Sequence, residues 1–300
     1  MYTVLGASGH TGAVVANKLL DHGKPVRVVG REAKRLDALV SRGAEPIIAD
    51  VTDAGALTRA FAGMEGVFSM TPPDVTSDNY RAFQDKVSEA VATAIEQAGV
   101  KYVVTLSSYG ADKPEKTGPV LGLHAMEERF ADIAEINVLH LRAGYFMENV
   151  LPQAEIIRNF GMMAGPLRAD LALPLIATKD IGAAAAEHLL HFDFNGQTAR
   201  ELLGQRDVSY TEIARIIGTA IGRPALAYIQ LPAEQVIMAM TQMGLSKNFA
   251  GLVCEMAEAL NTGYMRALEP RTEQNTTPTP FEAFMQEAFL PAFKGQAASA

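Results

Sequence analysis

The 300 residues are 48% hydrophobic, 20% charged and 7% aromatic, which excludes a disordered or collagen-like chain and allows one large α/β unit or two unequal lobes. The single cysteine, Cys254, has no internal partner for a disulfide and points to a reducing compartment. Thirty-four acidic residues stand against 26 lysines and arginines, a net charge of −8 with no block of like charge, and such a field argues against a nucleic-acid partner.

The predicted elements alternate through the first half. β-branched runs begin near Tyr2 (YTVLG), Val26 (VRVVG), Pro46 (PIIAD), Val67 (VFSM), Tyr102 (YVVTLSS) and Val138 (VLHLR), with helical patterns between them. No basic leader precedes the first run and no stretch reaches the ~20 apolar residues of a membrane span, so a cytoplasmic chain without a signal peptide is expected. At 79–98, Tyr80, Phe83, Val87, Val91 and Ile95 recur every three or four residues, the stripe of a helix lying flat on a sheet. Gly23, Gly43 and Gly99 each close a helical run, where positive φ costs a glycine least. Repeated units of this kind wind into an α/β fold with a parallel sheet covered on both faces. After Val150 the rhythm breaks at Pro152, Pro166 and Pro174. An Ala-rich helix is predicted at 180–190, and another at 209–221 opened by Ser209 with Glu212 three residues on. Met238, Met240, Met243, Met256 and Met265, within the helical pattern of 236–268, read as adaptable core, and the tail at 294–300 reads as frayed.

GASGHTG at 6–12 joins the first strand to a helix whose buried face is Val15, Leu19 and Leu20. Gly6, Ser8, Gly9, His10, Thr11 and Gly12 thereby form a dinucleotide loop, because a pyrophosphate must approach backbone N–H groups at a helix N-terminus and Cβ atoms would hold it away. The second strand ends at Arg31, with Lys34 and Arg35 close behind. A guanidinium there suits a 2′-phosphate better than the ribose hydroxyls of NAD, so NADP(H) is expected in preference to NAD(H). Asp50 and Val51 end the third strand. Asp50 either reaches the adenine amino group while Val51 packs on the ring, or caps the helix after Thr52. Thr71, Pro72 and Pro73 follow the fourth strand and line the expected cofactor path.

The chain resembles the NmrA-like branch of the atypical short-chain dehydrogenase/reductases, and within it the bacterial NAD(P)H quinone oxidoreductases. The likeness rests on GASGHTG at 6–12, TPP at 71–73, SSYGA at 107–111, HAMEE at 124–128, LRAGYFMENV at 141–150 and SYTEIARIIGTAIGRP at 209–224. It implies a Rossmann-type doubly wound sheet with a smaller, mainly helical C-terminal substrate lobe. The implied division puts an NAD(P)-binding domain at 1–150, completed by segments around 175–205, and a substrate lobe over most of 151–300. It also implies that Ser107 touches the cofactor.

Ordinary members of the superfamily use a Tyr-x-x-x-Lys dyad. The string at Tyr109 and Lys113 lies in a glycine-containing loop, where the two side chains need not share a face, so no dyad is expected. The resemblance points instead to His124, four residues before Glu128. His124 either holds the nicotinamide ribose or polarises a substrate carbonyl, or is a helix-surface histidine paired with Glu128. Tyr145, Phe146 and Asn149 follow the sixth strand at the ligand-binding edge of such sheets. Phe146 can wall the nicotinamide and Asn149 can bond an amide or carbonyl, which makes His124, Tyr145 and Asn149 the catalytic candidates, while Glu148 can cap local backbone. His188, His191 and Cys254 have no metal-ligand company, so no metal is expected. The absence of a G-x-S-x-G elbow and of a Walker lysine leaves three readings. The preferred one is an NAD(P)H-dependent reductase passing hydride to a quinone, azo or enone-type small molecule, as a monomer or homodimer. The alternative is a non-catalytic NADP(H)-sensing regulator of the NmrA type. An epimerase or alcohol dehydrogenase is weakened by the missing dyad.

Overall fold

Continuous apolar runs of Val, Ile, Leu and Phe are the signature of strands buried on both faces, and here they pair side by side. The computed structural model describes residues 1–295. Its strands are β1 (Tyr2–Val4), β2 (Val26–Gly30), β3 (Glu45–Ile48), β4 (Gly66–Ser69), β5 (Tyr102–Ser108), β6 (Asn137–Ala143), β7 (Tyr145–Phe146), β8 (Met163–Gly165), β9 (Leu173–Ile176), β10 (Gln197–Leu202), β11 (Asp207–Val208) and β12 (Tyr228–Gln230). Among the described residues, seven strands form one parallel sheet in the order β10-β6-β5-β4-β1-β2-β3. The order reverses at β1, so its carboxyl end and that of β4 frame a crevice.

Parallel neighbours need crossover helices, and these supply the two covering layers. The helices are α1 (His10–Asp21), α2 (Asp37–Val40), α3 (Ala54–Phe61), α4 (Tyr80–Ala98), α5 (Leu121–Ala131), α6 (Gln153–Phe160), α7 (Thr178–His191), α8 (Tyr210–Ala220), α9 (Ala233–Gln242), α10 (Lys247–Asn261), α11 (Phe281–Phe284) and α12 (Leu290–Phe293). One face of the sheet buries Val15 and Leu19 of α1 with Ile181 and Leu189 of α7. The other buries Leu57 and Phe61 of α3, Val91 and Ile95 of α4, and Phe130 of α5. Gly99 ends α4 at φ 67°, and Ser209 caps α8 by accepting the Glu212 N–H, as the spacing anticipates.

The segments after β6 build a third core from Met147, Ile157, Leu175, Ile213, Ile217, Phe281 and Phe289. Two small sheets complete it, β11-β9-β7 and β12-β8, while β10 returns to the edge of the large sheet. The methionine reading needs correction. Met265 is buried and Met240 and Met256 are half-buried, but Met238 and Met243 are more than half exposed, because α9 packs against α10 on one face, with Val236 its one buried residue, and leaves the other face to solvent. The end of the expected frayed tail, from Gln296 on, lies outside the described residues.

After α10 the chain runs as a strap back past β10. Glu201, buried in β10, accepts N–H bonds from Leu268 and Glu269 at 3.0–3.1 Å, and Asp180 accepts the N–H and hydroxyl of Thr279 at 2.9 and 2.7 Å. Charge-assisted bonds of this kind exceed neutral ones in strength. Glu201→Gln therefore lowers stability by about 1–2 kcal/mol and opens the strap first. Faster proteolysis between residues 262 and 280 at unchanged helix content is the expected readout, and cleavage unaffected there sinks the assignment.

Candidate functional site

The loop between β1 and α1 is held tight by glycine. Gly6 has φ +64°, Gly9 donates its N–H to the Gly6 carbonyl at 2.9 Å, and a Cβ on Gly12 would stand 2.3 Å from that same carbonyl oxygen. The first turn of α1 is thus drawn under the loop. No side chain caps α1, so the free N–H groups of His10, Thr11 and Gly12 and the positive end of the helix dipole face outward from its start. This arrangement attracts an anion.

A groove continues from the loop along the carboxyl ends of the strands. It is lined by Gly6 and Ser8, by Arg31, Glu32 and Arg35 after β2, by Asp50 and Val51 after β3, by Pro72, Pro73 and Asp74 after β4, and by Phe83 of α4. Arg35 also donates to the Ser8 carbonyl at 3.4 Å. Lys34 is exposed and lies outside the residues that line the groove. The turn at Ala33–Leu36 is 3-10, its anchor Leu36 is fully buried, and its register turns Arg35 to the loop and Lys34 to solvent. Asp50 is not the helix cap. Its Oδ1 accepts the N–H and hydroxyl of Thr52 at 2.9 and 2.7 Å, whereas α3 is capped by Asp53. The Thr52 bonds, helped by Arg31 and Lys86, hold the Asp50 carboxyl below its usual range. Glu32, Asp74 and Phe83 are groove residues that sequence reasoning missed.

The donor set fits a dinucleotide: backbone N–H groups for a pyrophosphate, guanidiniums for a phosphate, and an apolar ledge at Val51 and Phe83 for a base. At about 190 Å³ the groove is smaller than pockets that enclose a whole ligand, which suits one end of such a molecule.

The other candidates lie further along. Phe146 is half-buried on the core beneath the loop. Tyr145 hydroxyl stands 3.4 Å from that of Tyr210, whose ring stacks on Tyr228 at 4.4 Å. Burial pushes the Tyr145 phenol up, and hydrogen bonds with Tyr210 and Asn149 pull it part of the way back. The phenol therefore stays protonated and can donate. Asn149 is exposed. Tyr210 was missed; its place as the first residue of α8, directly after the capping Ser209, is the only trace it leaves in the sequence. Glu148 accepts the N–H and hydroxyl of Thr178 and so caps α7. His124 lies on α5 with Nδ1 2.8 Å from the Ala111 carbonyl and Nε2 3.4 Å from Glu128. A carbonyl only accepts, so Nδ1 carries a hydrogen, and the ring ties α5 to the loop after β5.

Ser107 is buried and donates to Glu127 at 2.6 Å; Glu127 in turn pairs with Arg142. Its hydroxyl is committed to that carboxylate. Lys113 pairs with Asp112 at 2.8 Å and covers the Tyr264 ring, while Tyr109 is buried and its hydroxyl has no partner among the described residues. The two do not meet as a dyad. His188 bonds Asp193 and His191 bonds the Glu187 carbonyl at the end of α7. Among the described residues no cluster of three His, Cys, Asp or Glu is placed to hold a metal ion, and no helix is long and apolar enough to cross a membrane.

Comparison with known proteins agrees with this architecture. The chain is 30% identical over 260 residues to an NAD(P)H azoreductase of Xenophilus azovorans, covering 85% of this chain and 86% of the relative. It is 27% identical over 260 residues to quinone oxidoreductase 2 of Escherichia coli, with the same coverage of both chains. The crystal structure of an NADPH-dependent quinone oxidoreductase from Escherichia coli complexed with NADPH superposes with a TM-score of 0.82 at 23% identity, covering 96% of this chain and 100% of that one. That likeness establishes the shared fold. A model of the NmrA-like family matches residues 2–285, nearly the whole chain, and the protein belongs to the NmrA-like family.

Proposed function

We propose that the protein is an NAD(P)H-dependent reductase of quinone, azo or enone-type small molecules, with NADP(H) preferred over NAD(H). The observation that carries this reading is the convergence of Gly6 and Ser8, from the glycine loop that leads into the uncapped α1, with Arg31 and Arg35 in one groove at the carboxyl ends of the strands. The names of the azoreductase and quinone oxidoreductase relatives support the same chemistry. A bound dihydronicotinamide supplies the hydride. The glycine loop and first turn of α1 hold the pyrophosphate, Arg31 and Arg35 a 2′-phosphate, Asp50 and Val51 the adenine, and Thr71, Pro72 and Pro73 border the path between. Phe146 walls the nicotinamide. Tyr145, protonated through burial, donates a hydrogen bond to the acceptor's oxygen or nitrogen, and Asn149 orients it. His124 acts by fixing the loop after β5. Residues 1–150 with 175–205 form the cofactor half and most of 151–300 the acceptor half, working in the cytoplasm as a monomer or homodimer on a small-molecule acceptor.

Loss of dihydronicotinamide absorbance with a panel of quinones and azo dyes tests the reading. Tyr145→Phe is expected to lower kcat about tenfold while cofactor affinity stays unchanged. Tight NADPH binding without turnover on any acceptor overturns the reductase and favours a sensor.

A further inference from the structure

The groove holds acids as well as guanidiniums, and one acid stands next to Arg31. Of its three carboxylates, Asp50 is bonded to Thr52 and Asp74 accepts the Thr76 hydroxyl at 2.9 Å. Glu32 is exposed, caps nothing with its side chain and makes no ion pair among the described residues. Arg31 is likewise exposed and outside every ion pair among those residues. Two adjacent side chains of opposite sign, neither in an ion pair among the described residues, therefore line the groove, at the end of β2 where the reading above puts the ribose 2′ substituent.

They select opposite ligands. A phosphate monoester carries nearly two negative charges at neutral pH and favours the guanidinium. A carboxylate repels that phosphate, yet accepts a hydrogen bond from a free 2′-hydroxyl. Resting on the NAD(P)H reading above, we propose that Glu32 is the specificity-determining residue that opposes Arg31 and Arg35 and keeps the margin between the two cofactors narrow. NADPH is drawn by two guanidiniums and penalised by one carboxylate, while NADH gains a bond from that carboxylate. The protein accordingly uses both cofactors.

Dissociation constants for NADPH, NADH and adenosine 2′,5′-bisphosphate, measured by calorimetry at fixed ionic strength, test the assignment without turnover. The unaltered protein should bind NADPH and NADH within about tenfold of each other. Glu32→Gln should tighten NADPH and the bisphosphate about fivefold and weaken NADH about threefold, the NADPH gain shrinking with added salt. Because Glu32 bonds to nothing in the fold through its side chain, the melting temperature of the variant should not change. Arg31→Ala should move the NADPH-to-NADH ratio the other way. Binding of both cofactors with a ratio unmoved by Glu32→Gln overturns this assignment alone. Binding of neither by the unaltered protein overturns the reductase reading and this assignment with it.

Discussion

Gly12→Ala weakens NADPH binding about a hundredfold and lowers stability by about 3 kcal/mol. The added Cβ would meet the Gly6 carbonyl oxygen at 2.3 Å, its carbon at 2.6 Å and the Ala7 nitrogen at 3.0 Å. All three are backbone atoms, and none can move aside by a rotamer change. The loop must lift from α1 or the helix must shift. Either movement breaks the Gly9 to Gly6 turn and displaces the first-turn N–H groups from the geometry an anion needs. Gly23→Ala is the control. That glycine, unlike Gly12, has positive φ, +66°, but nothing lies within 4 Å of its Cβ position, so the substitution costs about 1 kcal/mol and leaves affinity alone. Calorimetric titration with thermal melts separates the two. If Gly12→Ala binds NADPH within about threefold of the unaltered protein, the loop is not the anion cradle.

Six of the seven strands of the large sheet were legible because each is a short apolar run rich in β-branched residues, with helical patterns between them; the edge strand β10, QTAREL, has no such run. Local pattern and final position agree in those segments. The small strands were not legible. β11 is two residues, Asp207–Val208, and exists only because it pairs with Leu173 and Pro174 of β9, more than thirty positions earlier. Pattern over two residues carries no signal, so that pairing is tertiary information. The methionines of α9 failed for a related reason: periodicity reports that a face exists, and only packing decides whether anything covers it.

The lining of the groove was readable wherever a motif has a mechanism. Gly6, Ser8, Arg31, Asp50, Val51, Pro72 and Pro73 follow directly from strand ends. Glu32 escaped because Arg31 already explained the position, and Asp74 and Phe83 because their approach depends on how the loop after β4 and helix α4 close over the strand ends. The alternatives for Asp50 turned on where a helix begins. α3 starts at Ala54, which makes Asp53 the cap and leaves Asp50 to Thr52 and the groove. Ser107 shows the converse. Its place at the end of β5 was read correctly, but the partner that takes its hydroxyl, Glu127, comes from α5 twenty residues on.

Stability falls as pH is lowered from about 6.5 to about 4, and about 3 kcal/mol of that fall belongs to His140. His140 lies in β6, nearly all buried, with Nδ1 2.8 Å from the Thr105 hydroxyl and its ring beside Phe130. Burial pulls its pKa down to about 4; Glu127 raises it and Arg142 lowers it, two opposed influences from one ion pair. Desolvation therefore decides the outcome, and the folded protein keeps this histidine neutral. The unfolded chain takes up the proton at about 6.5. Between those values the unfolded state binds more protons than the folded one, so stability rises with pH across the window. Below about 4 both states are protonated and this contribution no longer changes. Other carboxylates, Asp50 among them, add their own losses at lower pH. The measurement is thus a difference: urea midpoints for the unaltered protein and His140→Gln, which keeps a hydrogen-bonding group beside Thr105 but cannot titrate. The two curves should run parallel above pH 7 and converge progressively down to about pH 4. Curves that stay parallel through that window show that His140 is not held neutral by the fold.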